Sequence, residues 1–345
     1  MTDHSPISRP IADRPVRLPS LAVVDASGVD VVTFLQGQLS NDLAGTGASR
    51  ACMAGYCSPK GRLLALPSVL TLADGGLRLI APGELIDGLL QRLRMFVMRA
   101  DVTFTVRDDL VCLGLEARAD AAADASLAHG IAALPPQGPA EVLDVVGGAE
   151  GAAGAQMCRW HDVPGDADGA GAARRYLIVV PRESVPADLP DGDVAWRHGD
   201  IAAGIPRITA ATREAFVPQM VNLQLVGGLS FRKGCYPGQE IVARMQYLGK
   251  LKRHMRRFRI AADVTADAGA ATGIGPGTAL AAGDDADAGL VVDAVPTSSG
   301  IELLAVVRIA ADPEALAIGG APLEPLPLPY APAEDAPTAA PAADG

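Results

Sequence analysis

The sequence predicts an α+β protein that ends in a small antiparallel β-barrel. Three observations carry that expectation. Apolar residues recur at both strand and helix spacing as far as about residue 249. After Lys250 the helical spacing stops, and strand-like runs such as "GLVVDAV" and "IELLAVVRI" alternate with Gly/Asp/Ala loops. In "RRFRI", Phe258 and Ile260 alternate with Arg257 and Arg259, as a strand with one wet face requires.

The bulk numbers set the frame. A chain of 345 residues is long enough for two or three domains with proper cores. Apolar residues make up 49%, which excludes a disordered chain, and aromatics only 4%, so Leu, Val, Ile and Ala must build the core. A net charge of −11 argues against a general nucleic-acid coat protein, because phosphate binding needs a basic surface. A local basic groove stays open. The first residues lack the apolar core of a secretory signal, and no apolar run reaches membrane-span length. A cytoplasmic protein without a membrane partner is the expectation. Cys52, Cys57, Cys112, Cys158 and Cys235 are odd in number and scattered, with no C-x-x-C pair. Free thiols are expected rather than a metal site, and the five histidines add no ligand spacing.

The elements follow in order. Residues 1–17 read as a flexible arm. Leu21 to Val24 reads as a strand, and Val31, Leu35 and Leu39 place a helix over Asp30 to Leu39, stopped by Ser40, Asn41 and Asp42. A turn at Pro59 to Gly61 separates two strand-like runs. Leu85, Leu89, Leu93 and Phe96 share one helical face, with Arg94 and Arg99 near the helix end. Val102, Phe104 and Val106 alternate as in a half-buried strand. Ala117 to Ala173 is Ala/Gly/Asp-rich with brief strands; "RRYLIVV" is a buried strand, and "WRHGDIAAGIPRI" a short helix ended by Gly204 and Pro206. Trp160 and Trp196 read as core. The chain divides at 18–110, 111–249 and 250–324, and the Pro/Ala/acid-rich stretch 325–345 reads as a disordered tail.

Chemistry concentrates in "FRKGCYPGQE", Phe231 to Glu240. Glycines and a proline make the first half a constrained loop. From Gln239 a helix begins, with Ile241, Met245 and Leu248 on one face and Glu240 placed to pair with Arg244. Cys235 thus lies near a helix start with Arg232 and Lys233 beside it, conditions that lower a thiol's pKa. Gly234 and Gly238 would let a ligand approach the backbone. The residues leave two readings open: a reactive thiol, or a small side chain filling a tight turn. Downstream, Arg244, Lys250, Lys252, Arg253, Arg256, Arg257 and Arg259 form a stretch without acids. It reads either as a field for an anionic ligand tail or RNA backbone, or as a solvated strand face.

The string K-G-C-Y-x-G-Q-E, here Lys233 to Glu240, resembles the YgfZ-type folate-binding proteins, relatives of the glycine-cleavage T-protein (aminomethyltransferase). Pro218 to Gln224 ("PQMVNLQ"), "GVDVVTFLQGQLSNDL" and "CSPKGRLLA" match as well, so the resemblance runs from about residue 20 to 310. It implies a T-protein-like fold: two mixed α/β segments and a C-terminal barrel around a central folate channel. It implies tetrahydrofolate or a derivative as cofactor, and iron–sulfur proteins or cluster-assembly factors as partners. The implied function is an accessory role in iron–sulfur cluster assembly or repair, with an indirect effect on tRNA modification. Contact with tRNA would run through 244–259. Cys235 carries the functional role, and Lys233, Gly234, Tyr236, Gly238, Gln239, Glu240 and Arg244 are the neighbours expected around the cofactor. Two departures matter. T-proteins carry a catalytic aspartate where this chain has Ala65 and Leu66, and many relatives carry an acid where it has Ala202. Asp200 is expected to point elsewhere on its helix. No classical turnover is therefore expected; the alternative is a tetrahydrofolate-dependent aminomethyl transfer.

Overall fold

In the computed structural model the described residues are 15–44, 51–118, 145–148, 156–165, 172–247, 249, 251–262 and 273–332. Three large antiparallel sheets and a two-stranded hairpin, Tyr56–Cys57 with Leu63–Ala65, organise them. The N-terminal sheet runs in the order Ala51–Met53, Ser68–Thr71, Leu77–Pro82, Leu21–Ser27, Thr103–Val106. Its inner residues, Val23, Val24, Leu79 and Ile80 among them, are fully buried. Helix α1 (Val31–Gln36) is shorter than the periodicity predicts, because Leu39 leaves it to bridge Tyr56. Helix α2 (Gly83–Phe96) buries Leu85, Leu89 and Leu93 as expected, but also Ile86 and Leu90. Phe96 is 46% exposed, since the helix ends there.

The middle sheet runs Val16–Arg17, Leu110–Arg118, Ala173–Pro181, Gln156–Val163, Val145–Gly148. Val16 and Arg17 pair with Gly114 and Leu113, so the expected arm is already strand at its end. One face of this sheet forms a small core of its own around Leu115, Met157 and Ile178. The other face gives Cys112, Cys158, Trp160 and Val179 to the main core. Helix α3 (Asp193–Ala202) packs between this sheet and the barrel.

The C-terminal unit is a nearly closed barrel of seven strands. Its two edge strands, Ala321–Pro322 and Glu324–Leu326, are separated by Leu323 alone, which brings the edges round towards each other. Phe258, Ile260, Leu280, Val291 and Leu303 fill the interior. The opposite faces, with Met255, Val292, Leu304 and Val306, belong to the main core. A strand buried on both sides is what fastens the barrel to the rest. The expected tail begins too early: Pro325 and Leu326 pair with Phe258 and Arg257, and Tyr330 donates to the Gly204 carbonyl at 2.5 Å. Residues 1–14 and 333–345 lie outside the described residues.

Two glycines set how the sequence motifs meet. Gly61, in the hairpin turn after Ser58, has φ +69°, and Gly238 has φ +80°. A Cβ on Gly238 would lie 2.4 Å from the Ser58 carbonyl oxygen and 2.7 Å from the Gly61 backbone. Gly234 differs, with nothing within 4 Å of its would-be Cβ. Gly238→Ala should therefore cost about 2–4 kcal/mol in denaturant unfolding, combining a clash with a strained backbone. Gly234→Ala should stay within about 0.5 kcal/mol of wild type. Equal costs for the two variants would contradict the contact described.

Candidate functional site

The Phe231–Gly238 loop is tied down on every side. Before it, Asn222 adopts φ +57° and donates to the Met255 carbonyl at 2.9 Å, and Gln219 donates to the Val242 carbonyl at 2.7 Å. These side chains brace the turn against the barrel and against helix α4 (Gln239–Tyr247). Asn41 donates to the carbonyls of Gly227 and Met53 at 2.7 and 2.8 Å. The Ser40 hydroxyl donates to Gly228 and accepts from the Gly55 amide. Sequence reasoning took Ser40 and Asn41 only as helix-stop chemistry. Their role as struts depends on a loop nearly two hundred residues away in the chain.

Lys233 is buried. Its Nζ donates to the carbonyls of Gln36 and Leu39, at the C-terminal end of α1, and sits 5.0 Å from the Tyr236 ring centre. Gln36 is the last residue of α1, so its carbonyl belongs to the negative helix end and suits a cation, while Leu39 lies in the turn that follows. Burial lowers the Lys233 pKa to about 8, against the opposing pull of Asp42, Cys235 and Cys52. Tyr236 is buried too, and its pKa is pushed up by burial and then by Cys57. Between these anchors Gly234 and Cys235 are exposed. The other four cysteines are buried. Burial pushes the thiols of Cys57, Cys112 and Cys158 up to about 12, which makes them inert. Among the described residues, no group of three or more His, Cys, Asp and Glu is placed to hold a metal ion.

The remaining expected residues divide. Gln239 is half-buried at the start of α4, and Glu240 pairs with Arg244 at 3.2 Å on the exposed face, as the i, i+4 spacing predicts. Val242, not Ile241, is the buried residue of α4; Ile241 is 37% exposed. Phe231 meets Tyr247 edge-on at 6.1 Å, closing the loop against the far end of the helix. In the basic stretch, Arg253 pairs with Asp287, Arg257 with Glu302 and Arg259 with Glu324. Partners from distant strands thus neutralise much of the field that the sequence promises.

Between the N-terminal and middle sheets lies a slot of about 50 Å³. Leu66, Ile80, Trp160, Trp196, Asp200 and Arg207 are among its walls. As their spacing predicts, Asp200 and Ala202 point different ways, and it is Asp200 that lines the slot. Trp196 and Asp200 are one helical turn apart and share a face, so the carboxylate looks into the slot. Ala202 turns away, into a cluster with Val163 and Ala173. The Asp200 Oδ1 is already engaged, accepting from Trp160 Nε1 at 2.9 Å and from Arg175 at 2.7 Å. Arg175 is fully buried, also reaches Glu116 at 3.0 Å, and lies 3.8 Å over the Trp196 ring. Ligand sites of drug-like size span about 300–1,000 Å³. A carboxylate between two indoles suits a pterin by chemistry, but in this conformation the slot does not fit one.

The Lys233 environment has a pH signature. Its folded pKa lies below the value of 10.5 usual for a lysine. Below about pH 8 the ammonium is charged in both folded and unfolded chains, and the cost of burying it is fully present. Between about pH 8 and 10.5 the folded chain gives up the proton first, so stability rises with pH through this group. Relative to Lys233→Met, the wild type should gain stability across that window in denaturant titrations. A constant difference between the two would remove the buried-ammonium assignment.

Comparison with known proteins agrees with the motif. No family model matches the chain. The tRNA-modifying protein YgfZ of Klebsiella pneumoniae is 33% identical over 240 residues, 67% of each chain. The YgfZ protein of Cronobacter sakazakii is 30% identical over 248 residues, 70% of this chain and 69% of that protein. That of Colwellia psychrerythraea is 30% identical over 244 residues, 69% of each. Among solved structures, the glycine cleavage system aminomethyltransferase T from Bartonella henselae matches with a TM-score of 0.57. It covers 91% of this chain and 85% of that one at 14% identity, and so establishes the fold alone. With an aminomethyltransferase-like fold and relatives at this level of identity, the chain belongs to the family of the tRNA-modifying protein YgfZ.

Proposed function

We propose that this chain is an accessory protein of iron–sulfur cluster assembly or repair, and that it affects tRNA modification through cluster-dependent enzymes. Cys235 is the residue through which it acts. The observation that carries this reading is the contrast among the thiols: Cys235 is exposed, while the other four are buried. The buried anchors Lys233 and Tyr236 fix the backbone on either side, so a partner meets the thiol already in position. A preset thiol avoids much of the ordering cost of association. Iron–sulfur proteins or cluster-assembly factors are the partners this surface would meet, and the cytoplasm is the compartment in which they would meet.

Tetrahydrofolate or a derivative is the cofactor of this reading. Since the slot holds about 50 Å³, binding there requires its walls to move apart, and Trp160 and Trp196, which line it, would report the ligand. Aminomethyl transfer is the weaker reading. Leu66 presents a hydrocarbon to the slot, and Asp200 is held by Trp160 and Arg175. Neither is a free base.

In a strain lacking the protein, Cys235→Ala should fail to restore growth under oxidative stress and iron–sulfur enzyme activity, while its unfolding curve stays within about 0.5 kcal/mol of wild type. Full rescue by Cys235→Ala would sink the thiol assignment. Separately, titration with tetrahydrofolate should quench tryptophan emission in both wild type and Cys235→Ala. An unchanged spectrum would remove the folate part of the reading and leave the thiol part standing.

A further inference from the structure

A second, larger cavity lies away from the Cys235 loop. It is a cleft of about 1100 Å³, bounded by the Pro218–Gln224 turn, the C-terminal end of α4 and the ends of two barrel strands. The loop and the cleft lie at opposite ends of α4, a helix of nine residues and so roughly 13 Å long.

Amides on one segment give the cleft a polar character. Gln219 and Gln224 both line it. Gln219 is 3% exposed, and its Nε2 is committed to the Val242 carbonyl. Its Oε1, and that of Gln224, have no hydrogen-bond partner among the described residues. A buried amide oxygen left unpaired carries a desolvation cost, which a ligand N–H reaching it would recover. Asn222, beside them, is committed to Met255 and serves as support.

Cations supply the second feature. Lys252, Arg253 and Arg308 all line the cleft. Arg253 and Arg308 share Asp287 at 2.6 and 2.7 Å, and Arg308 also reaches Asp285 at 3.2 Å. Among the described residues these three cations therefore stand against two carboxylates, and Lys252 is exposed. Met245 and Ile309 add apolar surface to the cleft.

A ligand matching this set has N–H donors along one edge, a body with an apolar face, and an anionic group. We propose that the cleft is a nucleotide-binding site, with the base edge on Gln219 and Gln224 and the phosphate towards Lys252, Arg253 and Arg308. Amide side chains pair with base edges, and Lys and Arg receive phosphate. The nucleotide is either free or one unit of a single-stranded RNA, since both present the same base edge and phosphate. The proposal goes beyond the Cys235 function and does not rest on it.

The test is equilibrium binding of GMP, AMP, inorganic phosphate and a short single-stranded RNA to the full chain. The variants are Gln224→Leu and Lys252→Ala, both on residues that the core does not enclose. GMP or AMP should bind more tightly than inorganic phosphate, and each variant should weaken binding about tenfold. RNA binding with the same sensitivity, without free nucleotide binding, supports the site and identifies RNA as the source. Three results overturn the proposal: no binding of nucleotide or RNA, binding untouched by both variants, or phosphate bound as tightly as GMP. Failure of the Cys235 function is read in growth and enzyme activity, so the two proposals fall separately.

Discussion

A buried ammonium at the end of a short helix is the contact on which the site depends. Lys233 reaches across from the far half of the chain to the carbonyl of Gln36, which ends helix α1, and to that of Leu39 in the turn after it. The ammonium is desolvated there, and that costs energy. Charge-assisted hydrogen bonds and the negative helix end offset part of that cost, and the lowered pKa of Lys233 is the part that remains. The result is a link between chain segments almost two hundred residues apart, with the loop's register fixed by one side chain. Gly61 and Gly238 then close the gap from the other side, at a separation only glycine permits. With both ends of the loop held, the exposed pair Gly234–Cys235 has little freedom left to lose when a partner binds.

The slot between the two sheets follows a different logic. Arg175 is surrounded by Glu116, Asp200, the Trp196 carbonyl and the Trp196 ring. In so low a dielectric each partner is needed: leaving one buried charge uncompensated costs about 3–5 kcal/mol. Any ligand that seeks Asp200 must therefore compete with Arg175 and Trp160 rather than with water. His161 belongs to the same environment, and burial lowers its pKa to about 4, so it stays neutral and adds no charge. The hydrocarbon of Leu66 on the opposite wall completes a surface better suited to holding two units together than to proton transfer.

Much of this was legible in the sequence, and the reason lies in periodicity. Leu85, Leu89 and Leu93 announced α2, and the alternation of Phe258 and Ile260 with arginines announced the barrel. The motif from Lys233 to Glu240 located the exposed thiol. What stayed hidden depends on partners distant in sequence. Ser40 and Asn41 read as turn residues because each has an acceptor beyond residue 226. Which of Asp200 and Ala202 faces the slot is hidden in the sequence, because the direction of α3 is set by packing of Trp196, not by its own pattern. Pro325 and Leu326 read as tail because a strand carrying Pro is stable only as an edge, and only the closing barrel supplies that edge.

Charge is where sequence and structure part most usefully. The run from Arg244 to Arg259 has no acid after Glu240, so in one dimension it is a cationic track. In three dimensions Glu302 and Glu324 arrive on neighbouring strands and face Arg257 and Arg259 across the barrel wall. Such cross-strand pairs contribute to sheet pairing and weaken the distant field together. At the mouth of the cleft the balance differs, since Asp287 is shared between Arg253 and Arg308 and Lys252 adds a further charge. In a chain of net charge −11, positive potential survives only where cations outnumber local acids over a concave surface, because a cleft concentrates the field that a convex face disperses. The barrel wall therefore spends its arginines on the fold, while the rim beside the Gln219 and Gln224 amides keeps charge for an anion.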